Sequence, residues 1–191
     1  SSEDIDTGVF GQKEIKFSGF GGQGILSLGL VLAHAGSTAG KNVSWFPSYG
    51  PEQRGGTASC SVVLSGKEIG SPTVDRPDVL VAMNQPSLEK FAPTVKAGGV
   101  IIYDAQIPVE FDLPKDVTVY AFPAAEIATS KGVPKAANTA LLGALISLDL
   151  IGLPEETVLT ALKESFAAKP KLIPKNMDIV ETSKAWMRDN L

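Results

Sequence analysis

The chain has 191 residues, 43% of them hydrophobic, and a formal net charge of −4. That length suits one domain with a substantial core, and the acidic balance leaves no basic footprint for nucleic acid. A single cysteine, Cys60, and a single histidine, His34, exclude an internal disulfide, a cluster held by several thiolates and a multi-histidine metal site.

Residues 1–13 are polar and acidic and read as a flexible leader rather than a signal peptide. The longest apolar run, 25–33, is interrupted by Ser27 and Gly29 and is too short to span a bilayer. No membrane partner is expected, and the chain reads as cytoplasmic.

From Glu14, Ile15 and Phe17 alternate with polar residues, the pattern of a half-buried strand. Gly19, Gly21, Gly22 and Gly24 then crowd into six residues, and the apolar stretch from Ile25 to Ala35 predicts a helix buried on most sides. Glycines admit positive φ and close approach, and a helix N-terminus behind them offers free N–H groups to an anion. Gly19, Gly21 and Gly24 also fit the dinucleotide pattern G-x-G-x-x-G. That pattern calls for an acidic residue about 20 positions on, and none closes the next strand (Val43–Phe46). The turn therefore stands open between a phosphate site and a close-packed strand–helix connection.

Ala39-Gly40-Lys41-Asn42 stops the first helix. A loop over 47–56 follows the second strand, and Thr57–Leu64 forms the third, with Cys60 alternating with serines as a small core residue. Strand, loop and strand without an intervening helix predict an antiparallel pair inside a mixed sheet. Glu68–Pro72 reads as a short edge strand or arm. Strands at 79–83, 100–104 and 117–121, with a helix over 86–96, define an α/β layering. Helices are predicted over 135–150, 154–166 and 176–190, with a connector at 167–175. The resulting fold class is a three-layer Rossmann-like α/β fold with a mixed sheet and a helical C-terminal region. One domain spans 14–167, and 168–191 packs on it.

The loop 47–56 is dense in chemistry. Tyr49, Glu52, Gln53 and Arg54 are set among Gly50, Gly55 and Gly56. Arg54 can hold a phosphate or carboxylate bidentately while the backbone comes close; equally, Glu52 and Arg54 can form a surface ion pair in a hairpin loop.

The turn Gly19-Phe-Gly-Gly-Gln-Gly24 followed by Ser48-Tyr-Gly-Pro-Glu-Gln-Arg-Gly-Gly56 resembles the gamma subunit of 2-oxoacid:ferredoxin oxidoreductases, equivalent to the gamma-type domain of pyruvate:ferredoxin oxidoreductase. The segment Arg76–Phe91, Gly98-Gly99 ahead of Asp104, Asn138 with Leu142-Gly143, and Asn176 extend the resemblance over roughly 14–180. It implies a subunit, inactive alone, of an enzyme that converts a 2-oxoacid and coenzyme A to an acyl-CoA while reducing ferredoxin. Thiamine diphosphate, Mg2+ and iron–sulfur clusters are implied in alpha, beta and delta partner subunits; no catalytic or metal-binding residue is assigned to this chain. The expected contact residues, for coenzyme A phosphate or for the thiamine-bearing subunits, are Gly19, Gly21, Gly22, Gln23, Gly24, Tyr49, Glu52, Arg54, Gly55, Gly56 and Asn138. Within the resemblance the substrate leans to 2-oxoglutarate or a branched-chain oxoacid. An indolepyruvate-type small subunit and an autonomous nucleotide-binding module are the competing readings. An isolated chain is expected to be prone to self-association through uncovered interface patches.

Overall fold

The computed structural model describes residues 11–21, 24–49 and 57–191. Strand β1 (Gln12–Phe20) is central in a six-stranded sheet of order β2-β3-β1-β4-β5-β6. β4 (Val79–Ala82), β5 (Val100–Asp104) and β6 (Thr118–Phe122) extend it in parallel on one side. On the other side β3 (Thr57–Ser65) is antiparallel both to β1 and to the edge strand β2 (Asn42–Tyr49). The sheet is therefore mixed, as expected, with β3 as the strand that runs against the rest.

Alternation along β1 decides what each face meets. Ile15 and Phe17 are fully buried and point, with Cys60, Val62 and Leu64 of β3, at helix α1 (Ile25–Thr38). Leu28, Val31, Leu32 and Ala35 supply the helix side of that layer. Contact is close: a Cβ on Gly29 would lie 2.5 Å from the Cys60 thiol. Helix α1 is not buried all round, because Leu30 is half exposed.

After β4 comes the short helix α2 (Gln85–Phe91), capped by the Asn84 side chain, which accepts from the Ser87 amide at 2.8 Å. It continues as a 3-10 turn, Ala92–Thr94, and covers the second face through Leu80, Leu88, Ala92, Val95 and Ile101. A helix absent from the sequence reading, α3 (Ala124–Ser130), follows β6 directly. The helix expected over 135–150 is shorter: a 3-10 turn at Pro134–Ala136 leads into α4 (Ala137–Ser147). Helix α4 is buried almost throughout, and each fully enclosed leucine, such as Leu141 and Leu142, contributes about 1.5–3 kcal/mol of burial. Helix α5 (Glu155–Ser165) opens with two glutamates at the positive end of its dipole. Helix α6 (Ile173–Asn190) lies across α4 at Gly143, where a Cβ would meet the Val180 carbonyl and Ser183 Cβ at 2.8 Å.

Two further expectations are corrected. Residues 68–72 form no strand; the irregular segment instead buries Val74 and turns its carbonyl toward the sheet. Strand β2 runs on through Pro47 to Tyr49, which an edge strand tolerates because the missing N–H need not bond inward.

Candidate functional site at the carboxyl edge of the sheet

The chain leaves β1 through the glycine turn and crosses to β2 on one side, whereas β4 lies on the other. The carboxyl ends of β1 and β4 therefore flank a switch in strand order, where open α/β sheets place ligands. The Met83 amide donates to the Ser18 carbonyl at 2.8 Å, and the Ser18 hydroxyl donates to Ser87 Oγ at 2.8 Å, tying β1 to β4 and α2 there.

Gly24 is the N-cap of α1, with φ 74° in the left-handed region. Only its carbonyl enters the helix, accepting from the Leu28 amide at 3.1 Å. Among the described residues no side chain caps this end, and no acidic residue occupies the first turn, so the first-turn N–H groups can donate to an outside acceptor. The turn is held from behind. Asn138 Nδ2 donates to the Gly24 carbonyl at 3.3 Å, and Asn138 Oδ1 accepts from the Thr139 amide. The Thr139 hydroxyl donates to Asn176 Oδ1 at 2.8 Å, and Asn176 Nδ2 donates to the Leu172 carbonyl at 2.8 Å. A polar chain thus links α1, α4 and α6 through two asparagines that the sequence singled out.

Of the expected contact residues, Gly19, Gly21, Gly24, Tyr49 and Asn138 are described, and Gly24 and Asn138 are brought together. Gly22, Gln23, Glu52, Arg54, Gly55 and Gly56 lie outside the described residues. Phe20, 41% exposed, ends β1, and Tyr49, 69% exposed, ends β2. Both present exposed aromatic surface at one end of the sheet, which suits contact with another surface.

Other candidates resolve as structural. His34 is exposed, its Nε2 2.7 Å from Glu164 Oε2, beside a cavity of about 700 Å³ between α1, α4 and α5. Cys60 is fully buried, and desolvation pushes its thiol up to about 12, which leaves it unreactive. Among the described residues no group of three His, Cys, Asp or Glu could hold a metal ion, and no helix is long and apolar enough to cross a membrane.

What sequence reading missed is the second face of the same edge. Lys16 and Ser18 of β1 point away from α1, opposite Ser61 and Ser59 of β3 in register, with Phe46 and Ser48 of β2 beyond them. They line a cavity of about 290 Å³ closed by residues 73–75 and by Lys90 and Phe91 of α2. The signal was present, since the polar residues of β1 and β3 alternate with core residues on strands whose two faces are both covered.

A mixed six-stranded sheet with helices on its faces, and a glycine-led helix N-terminus at its carboxyl edge, defines a Rossmann-like α/β domain. The chain belongs to the pyruvate ferredoxin/flavodoxin oxidoreductase family, whose model matches residues 14–186. It is 48% identical over 187 residues to the ketoisovalerate oxidoreductase subunit VorA of Methanothermobacter marburgensis, covering 98% of this chain and 39% of that one. The chain thus spans about two-fifths of that relative's length. In a solved 2-oxoglutarate:ferredoxin oxidoreductase from Magnetococcus marinus, with 2-oxoglutarate, coenzyme A and succinyl-CoA bound, the matching region has a TM-score of 0.84 at 28% identity, covering 95% of this chain and 32% of that one. The gamma subunit of a keto/oxoacid ferredoxin oxidoreductase from Geobacter sulfurreducens gives 0.76 at 27% identity, covering 93% of this chain and 99% of that one.

Proposed function

We propose that this chain is the gamma part of a multi-subunit 2-oxoacid:ferredoxin oxidoreductase and forms one wall of its coenzyme A region. The observation that supports this best is the uncapped N-terminus of α1, with Gly24 in the left-handed region and its carbonyl held by Asn138. A polyphosphorylated coenzyme is the acceptor such an end suits, because free N–H groups and the helix dipole both favour negative charge. The overall reaction joins a 2-oxoacid and coenzyme A, releases CO2 and a proton, and passes two electrons to ferredoxin. Thiamine diphosphate with Mg2+, and the iron–sulfur clusters, belong in this reading to the alpha, beta and delta subunits. This chain's share is positional: it offers N–H groups and Arg54 to phosphates and presents Phe20 and Tyr49 to the thiamine-bearing subunits. The chain alone then has no turnover. A branched-chain oxoacid is the favoured substrate, since the ketoisovalerate relative is 48% identical over 98% of this chain, against 40% over 72% for a 2-oxoglutarate synthase subunit KorC.

Replacing Arg54 by Ala in the assembled complex tests the assignment. A raised coenzyme A requirement with assembly intact supports contact with the coenzyme. Loss of assembly makes Arg54 an anchor between subunits. No change in either overturns the role given to Arg54 and its loop.

A further inference from the structure

The cavity on the far side of the sheet from α1 is lined in large part by lysine and hydroxyl side chains. Ser59 and Ser61 are 7% and 5% exposed, and neither hydroxyl makes a hydrogen bond among the described residues, although both line the cavity. Both hydroxyls open onto the cavity and stay available to a solute there. Across the β1–β3 ladder, Ser61 lies opposite Lys16 and Ser59 opposite Ser18. Lys16 is half-buried; its Nζ donates to the Val74 carbonyl at 3.3 Å and lies 4.3 Å from the centre of the Phe91 ring. Lys90 comes to the same ring from α2, 5.2 Å from its centre, and pairs with no carboxylate among the described residues. Asp75 stands at the rim and offsets part of this charge, while Lys90 adds to it. Among the described residues, two cations, unbonded hydroxyls and one carboxylate line the cavity, a net positive charge.

We propose that this cavity binds a phosphate group, with the ammonium groups of Lys16 and Lys90 neutralising it and the hydroxyls of Ser59 and Ser61 donating to its oxygens. Its volume of about 290 Å³ admits a phosphate with a small attached group and is too small for a folded peptide element. The source is either free inorganic phosphate or the terminal phosphate of a larger molecule. The two share one chemistry and differ in what lies outside the cavity. The proposal does not rest on the oxidoreductase assignment, because it is read on this chain with a simple anion.

Titration of the full chain with inorganic phosphate, and separately with adenosine 3′,5′-bisphosphate, followed by calorimetry and 31P NMR, tests it. Saturable one-to-one binding is expected. It should weaken at least about tenfold in Lys16→Met and in the double variant Ser59→Ala/Ser61→Ala, the loss of charge-assisted hydrogen bonds. Lys131→Ala, a lysine paired with Asp178 on α6, should bind as the parent does. The serine double variant also separates ligand from fold, since removing hydroxyls that bond nothing inside the chain leaves unfolding unchanged. It serves alone if Lys16→Met does not fold. A bisphosphate at least about tenfold tighter than phosphate, one further pair of contacts, identifies the terminal group of a larger ligand; equal affinity identifies the free ion. No saturation by either anion up to about 10 mM, or undiminished binding in the serine double variant, overturns the proposal.

Discussion

The carboxamide of Asn138 donates to the carbonyl oxygen of Gly24 across 114 residues of chain, so the first turn of α1 is fixed by α4 and not by its own sequence. Gly24 has φ 74°, and a Cβ there would meet Asn138 Cγ at 2.8 Å. Gly24→Ala should cost about 2–3 kcal/mol, of which the left-handed backbone accounts for about 1–2 kcal/mol and the crowded amide for the rest. Asn138→Ala should cost about 1 kcal/mol, one partly buried hydrogen bond. The two are coupled: in an Asn138→Ala background Gly24→Ala loses its steric part, so the double variant is more stable than the sum of the singles. Urea unfolding of the four proteins measures the coupling, and strict additivity contradicts the contact.

Gly143 marks where α4 and α6 come closest, facing the Val180 carbonyl and Ser183 Cβ. Backbone cannot rotate aside as a side chain can. Gly143→Ala should therefore destabilise the chain by about 2 kcal/mol through overpacking, despite the better helix propensity of alanine. A thermal midpoint equal to that of the parent contradicts this packing.

Cys60 should resist alkylation by iodoacetamide at pH 8 in the folded chain and react promptly in urea, since burial has pushed its thiol from an ordinary 9.0 to about 12. A thiol raised on folding keeps its full contribution to stability below pH 9. That contribution is lost as pH rises from 9 toward 12, where the unfolded chain ionises first. Cys60→Ser should flatten that part of the pH profile.

Lys16 shows the opposite sign. Burial lowers its pKa below the ordinary 10.5, Asp75 opposing and Lys90 reinforcing that shift. The folded chain then binds this proton less readily than the unfolded one, a cost in full force below the lowered folded pKa and relieved as pH rises from there toward 10.5. Lys16→Met should be at least as stable as the parent at pH 7, with its advantage shrinking toward pH 10. Unfolding midpoints at the two pH values check the trend, and an advantage that grows with pH contradicts it.

The glycine turn, α1 and the mixed sheet were legible because their signals are local. Ile15 and Phe17 alternate, glycines punctuate, and the sequence between the second and third strands carries no helical pattern. Asn138 and Asn176 were marked only through family resemblance; that Asn138 holds Gly24 is a tertiary fact no spacing displays. Helix α3 escaped because seven residues after Pro123 give fewer than two turns of pattern. Prolines at 170 and 174 suggested a connector, yet Pro174 sits in the first turn of α6, where its missing N–H has no intrahelical use. The polar cavity escaped because Ser59 and Ser61 entered only as residues alternating with Cys60, and no local signal shows that their face of the strand is covered. The segment 73–75 and α2, distant in sequence, cover that face.

In the proposed role this chain completes the coenzyme A region of an oxoacid oxidoreductase. The most direct measurement is 2-oxoisovalerate-dependent viologen reduction by the reconstituted complex, titrated with coenzyme A in the presence and absence of this chain. Coenzyme-dependent turnover is expected only when the chain is present. Equal turnover with an unchanged coenzyme A requirement when it is omitted would contradict it.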